Sequence, residues 1–134
     1  LVLFDCHSLN GTGPSEAPDP GRKREQIILG NNGDPAGKPV NTRGETTCPP
    51  EVMILMKKAF QSFGFSVSVN SPYAGGFITT HYGRRAASSG KAVVQIEINQ
   101  DLFIPQEGVR PEPEKVQSVR AKILAAFTQI VRRL

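Results

Sequence analysis

Two residues in this chain carry side chains capable of metal-ligand or acid–base chemistry, one just after an apolar run and one within another. His7 follows "LVLFDC" in the stretch "LVLFDCHSLNG", with Asp5 and Ser8 beside it. Glu97 lies in "KAVVQIEIN" (91–99), whose alternation puts Val93, Gln95, Glu97 and Asn99 on one face and Val94, Ile96 and Ile98 on the other. In open α/β sheets ligands gather beyond the carboxyl ends of strands, so His7 is placed to act as a ligand or an acid–base group. The competing reading is a histidine that only bonds neighbouring backbone at a strand end. A carboxylate in so apolar a run as Glu97 points to a metal, a cation or a catalytic task, because an unpaired buried charge is costly. Its competing reading is an edge strand with one wet face.

A third group is "NSPYAGGFITTHYGRR" (70–85). Gly75 and Gly76 allow close backbone approach to a ligand. His81, Tyr82 and Arg84 add an acid, a hydroxyl and a planar cation suited to a carboxylate. The familiar alternatives are missing: there is no HExxH, no GxxxxGK[ST] and no G-x-S-x-G. Cys6 and His7 do not read as a nucleophile–base pair, since strand neighbours point to opposite faces.

The elements that must position these residues follow from periodicity. Residues 1–5 and 26–30 ("QIILG") read as short buried strands, 65–70 ("FSVSVN") as a half-buried strand and 91–99 as the best strand. Residues 9–25 and 30–47 are rich in Gly, Pro, Asn and Asp and read as loops. A helix is expected after "TTCPP", with Thr47 or Cys48 at its cap, Pro49 and Pro50 in its first turn, and Gly64 at its end. Val52, Leu55, Met56, Ala59, Phe60 and Phe63 form its buried stripe. "FITTHYG" reads as extended or irregular. A last helix carries Val116, Val119, Ile123, Phe127 and Ile130 to the end of the chain. Strands alternating with helices, with no tight hairpin turns, predict an α/β domain: a layered, mostly parallel or mixed sheet flanked by helices.

The chain has 134 residues, enough for one domain; 38% are hydrophobic and 21% charged, and mean hydropathy is −0.27. No apolar run approaches the roughly 20 residues of a membrane span. The net charge of +4 is not interleaved with aromatics, which argues against a nucleic-acid platform. Two cysteines are too few for a disulfide framework and suit reduced thiols in a cytoplasmic protein, although a pairing of Cys6 with Cys48 stays open.

Taken together, "DCHS", "ILG" with a loop and "TTCPP", "GFSVSVNSPYAGGFITTHYGR" and "VQIEINQDLF" stand in the order found in N-formylglutamate amidohydrolases. The chain resembles the C-terminal part of that family over nearly its whole length. The resemblance implies a zinc-exopeptidase-like (phosphorylase/hydrolase-like) α/β fold, with residues 1–134 forming one incomplete domain of a longer amidohydrolase. It implies zinc-dependent cleavage of N-formyl-L-glutamate, or a similar small anionic N-acyl amino acid, to formate and glutamate, in histidine catabolism. His7 would be the last zinc ligand and Glu97 the general base, with Asn70, His81 and Arg84 as substrate-pocket residues. The other zinc ligands would come from outside this segment, through an upstream segment or a partner chain. Two departures stand out: the loop at 30–47 is longer than usual, and Thr80 stands where arginine is common. Other readings are a related peptide or cell-wall amidase and a non-catalytic anion-binding α/β module. No nucleic acid and no membrane is expected as partner.

Overall fold

The computed structural model describes residues 1–87, 89–105 and 108–134. The chain runs β1 (Val2–Leu9), β2 (Ile27–Gly30), α1 (Pro50–Ser62), β3 (Val67–Val69), α2 (Phe77–Ala87), β4 (Ala92–Asn99), a 3₁₀ turn (Gln100–Leu102) and α3 (Pro113–Val131). The strands form one mixed sheet in the order β1-β4-β2-β3. β1 pairs parallel with β4 and β2 parallel with β3, while β4 and β2 are antiparallel. The fold is therefore α/β with a mixed sheet flanked by helices, as the alternation of elements predicts.

One face of the sheet carries the core. Ile27 and Leu29 of β2 and Val94 and Ile96 of β4 pack with Met53, Met56, Ala59 and Phe60 of α1 and with Ala126 and Ile130 of α3. Phe60 is fully buried and meets Phe65 and Phe127 edge-on, while Phe127 stacks on Phe4 at 4.7 Å. These rings tie α1 and α3 to β1 and to the segment that leads into β3, burying large apolar area where aromatic geometry adds specificity. Strand alternation sends Asp5 and His7 of β1, and Gln95 and Glu97 of β4, to the opposite face.

The structure differs from expectation in three places. "FITTHYG" belongs to helix α2. Its buried stripe is Thr79, Gly83 and Ala86, whereas the large apolar residues Phe77, Ile78 and Tyr82 are exposed. The helical repeat is thus written in small residues, which hydrophobic periodicity does not register. Helix α2 and the segment leading into α1 come so close there that a Cβ on Gly83 would lie 2.3 Å from Thr47 Cγ2. The N-cap of α1 is Pro49, with no capping side chain, because the Thr47 hydroxyl donates instead to the Val93 carbonyl at 2.6 Å. Finally, β1 does not stop at Asp5: its ladder with β4 continues through Leu9, so His7 is within the strand. Gly64, at φ 85°, ends α1 as the sequence indicates. Among the described residues no helix is long and apolar enough to cross a membrane.

Candidate active site

The β1–β4 register sets Asp5 opposite Gln95 and His7 opposite Glu97, so four polar side chains share one patch of an otherwise apolar sheet. This patch is the floor of a cleft of about 660 Å³, a size suited to a small metabolite. The segment around Pro72–Gly76 and the start of α2 form one wall, and Asn32 and Arg43 of the long loop after β2 form the other. Gly30 lets the first wall approach: a Cβ there would meet the Ala74 carbonyl oxygen at 2.7 Å. Asn32 N–H donates to that same carbonyl at 2.6 Å, joining the two walls.

His7 is held by a buried relay. Its Nε2 donates to Asp5 Oδ1 at 2.7 Å, and Asp5 Oδ2 accepts from the Thr79 hydroxyl at 2.8 Å. Asp5 and Thr79 are buried, while the imidazole is 43% exposed to the cleft. A neutral imidazole that donates one N–H to a carboxylate offers its other nitrogen as a lone pair, the arrangement in which metal-ligating histidines are oriented. The carboxyl of Glu97 is half-buried and accepts from Gln95 Nε2 at 2.9 Å. Gln95 Oε1 accepts in turn from the Gly76 amide. Desolvation raises the Glu97 pKa, and a positive charge on His7, when that ring is protonated, and the Gln95 hydrogen bond pull part of the way back.

Tyr73, on the cleft wall, is backed by Arg24. The Arg24 guanidinium grips Asp19 through Nε at 2.8 Å and Nη2 at 2.6 Å, and Nη2 also donates to the Tyr73 hydroxyl at 3.3 Å. Its charge is committed to Asp19, whose carboxyl it holds below the usual range mainly through that hydrogen bond.

The structure brings His7 and Glu97 together; the other three site candidates do not line this cleft. Asn70 is buried after β3, at φ 54°, where it exchanges hydrogen bonds with Asn31: Asn31 N–H donates to Asn70 Oδ1 at 2.9 Å and Asn70 Nδ2 to Asn31 Oδ1 at 2.7 Å. Asn70 Nδ2 also reaches the Asp34 carbonyl at 2.6 Å, so Asn70 is tied to the cleft through the loop after β2. His81 is half-exposed on α2, stacked on Phe77 and edge-on to Tyr82. Arg84 is exposed in the last turn of α2. Asp5 and Gln95 were detectable in the sequence, since each lies two residues from its partner on one strand face. Thr79 and Arg43 carry no such signal; tertiary packing alone brings them in. Among the described residues no group of three or more His, Cys, Asp or Glu side chains is placed to hold a metal. Both cysteines are free: burial pushes Cys48 to about 12, and partial desolvation of its sulfur, followed by the Asp5 charge, raises Cys6, whose residue is otherwise exposed.

A family model described as N-formylglutamate amidohydrolase matches residues 1–104. A solved structure, the N-formylglutamate amidohydrolase from Ralstonia eutropha JMP134, is 21% identical and superposes with a TM-score of 0.66. The match covers 97% of this chain and 43% of that one, so the chain spans less than half the length of its structural relative. Comparison with curated proteins finds no match.

Proposed function

The chain belongs to the N-formylglutamate amidohydrolase family, and from that premise we propose that it carries part of a zinc-dependent active site that hydrolyses N-formyl-L-glutamate, or a similar N-acyl amino acid, to formate and the free amino acid. The observation that carries this reading is the side-by-side placement of His7 and Glu97 on β1 and β4, with His7 anchored by Asp5.

The donor set fits one vertex of a zinc site. His7 is an oriented imidazole with a carboxylate behind it, but a catalytic zinc takes three protein ligands. The remaining ligands would come from outside this segment, consistent with its covering 43% of its structural relative. When bound, zinc supplies Lewis acidity, lowering the pKa of water and polarising an amide oxygen.

The chain's own residues do the rest. Glu97, desolvated into a stronger base, takes a proton from the attacking water at its carboxylate and delivers it to the departing amide nitrogen. Water oxygen joins the formyl carbon, the C–N bond breaks, and formate and amine leave. Gln95 fixes one Glu97 oxygen, and through the Gly76 amide it fixes the wall against which substrate would lie.

The test is zinc content together with formate release, measured on this chain and on any longer protein that carries it. Near-stoichiometric zinc that is lost in His7→Ala, with formate released from N-formyl-L-glutamate, supports the reading. No zinc and no turnover in either would leave an anion-binding module. Turnover confined to other N-acyl amides would move the assignment to a related amidase.

A further inference from the structure

Resting on that reading, we propose that Arg43, presented by the long loop after β2, binds a carboxylate of the acyl amino acid and so selects anionic substrates. The cleft floor is acidic, with Asp5 and Glu97, and an anionic substrate needs a counter-charge on another wall. Arg43 is the one arginine or lysine among the described residues that lines the cleft. Arg24 is engaged by Asp19, and Arg84 lies on the exposed side of α2.

The loop is built to hold Arg43 there. Its Nη1 donates to the Gly33 carbonyl at 2.6 Å, which uses one of the guanidinium's five donors and leaves the planar fork for a carboxylate. Asn32, at φ 67°, donates from Nδ2 to the carbonyls of Arg43 and Glu45 at 2.8 and 3.0 Å. Asn31, fully buried, donates from Nδ2 to the carbonyls of Gly37 and Cys48 at 2.9 and 3.1 Å, and its exchange with Asn70 pins the loop base to β3. A loop knitted at its base by the buried amides of Asn31 and Asn70, and near Arg43 by the half-buried amide of Asn32, is a firm support for a charged recognition group, and such support keeps a recognition contact strong. The length of 30–47 then has a purpose: it carries the backbone far enough to bring a cation over the cleft.

The experiment measures binding of N-acetyl-L-glutamate and N-acetyl-L-glutamine by calorimetry to wild type, Arg43→Gln, Arg43→Ala and Arg84→Ala, using the longest form of the protein that folds. Arg43→Gln removes the charge and keeps an N–H donor for the Gly33 carbonyl, so it separates recognition from loop collapse. The expected result is about 10- to 100-fold weaker binding of the diacid for both Arg43 variants, with native circular dichroism. A loss for the diacid alone assigns Arg43 to the side-chain carboxylate; a loss for both ligands assigns it to the α-carboxylate. Unchanged diacid affinity in Arg43→Gln, or a loss seen only in Arg84→Ala, overturns the proposal, as does a wild type that binds neither ligand. Formate release reads the hydrolase assignment separately: Arg43-dependent binding without turnover keeps the subsite and removes the reaction.

Discussion

At the residue scale, the candidate site holds two carboxylates in opposite settings. Asp5 is buried but doubly hydrogen-bonded, to His7 and Thr79, whereas Glu97 is half-buried and its pKa is raised chiefly by desolvation. Because the folded pKa of Glu97 lies above its unfolded value, the stability tied to its protonated form is present at low pH and is lost as pH rises through the folded pKa. Glu97→Gln keeps an acceptor for Gln95 and should therefore raise the melting temperature of the metal-free chain near pH 7. After discounting for solvent screening, the gain is under about 1 kcal/mol, and it should shrink as the pH falls through the Glu97 titration. A thermal melt series in pH reads this; a loss of stability at neutral pH would contradict it. The two thiols make a second prediction. Cys48, buried and pushed up to about 12, should resist alkylation of the native protein at pH 8, while exposed Cys6 reacts, more slowly than a free thiol. Mass spectrometry of the labelled chain separates the two. His7 and Glu97 were legible because each interrupts an apolar run. Arg43 was not, because a loop without periodicity gives no hint of which side chain it will turn toward a cleft.

At the element scale, the site depends on one close approach that a single methyl group would spoil and on one buried amide that ties the loop together. Gly30→Ala puts a Cβ within 2.7 Å of the Ala74 carbonyl oxygen, so the wall carrying Tyr73 and Gly76 must move. The expected cost is about 1–3 kcal/mol in denaturant unfolding, with substrate affinity falling alongside stability. Retained stability and affinity would show that the wall yields freely. Asn31→Ala removes the donor to Gly37 and Cys48 and the acceptor for Gly33 N–H and Asn70, leaving several buried groups unpaired. A loss of at least about 2 kcal/mol should follow, and amide exchange should quicken across 31–47. The strands and α1 were readable because their periods use large apolar residues. α2 was hidden because Thr79, Gly83 and Ala86 form its buried face while Phe77 and Tyr82 point outward. The end of β1 is hard to read from sequence for a related reason: Asp5 and His7 are strand residues that face a cleft, and polarity there looks like a loop.

At the scale of the whole molecule, one sheet face holds the hydrophobic core and the other holds the candidate site. The packed face, centred on Phe60 with Phe65 and Phe127, should dominate stability: Phe60→Ala is expected to cost about 3–5 kcal/mol, read by denaturant unfolding. The opposite face tolerates Asp5, His7, Gln95 and Glu97 because the cleft leaves it partly wet and because each polar group finds a partner. This division was legible in the sequence as far as the alternation in "VVQIEIN" reveals two unlike faces. The pairing of β1 with β4, which makes a site of two distant residues, is a tertiary fact that no local pattern encodes. The most direct test of the account is therefore the turnover of N-formyl-L-glutamate by wild type and Glu97→Gln in the longest protein that carries this chain. The account predicts formate release by wild type and a fall of about 10²- to 10⁴-fold in kcat for the variant, with KM little changed. Equal kcat values for the two would contradict it.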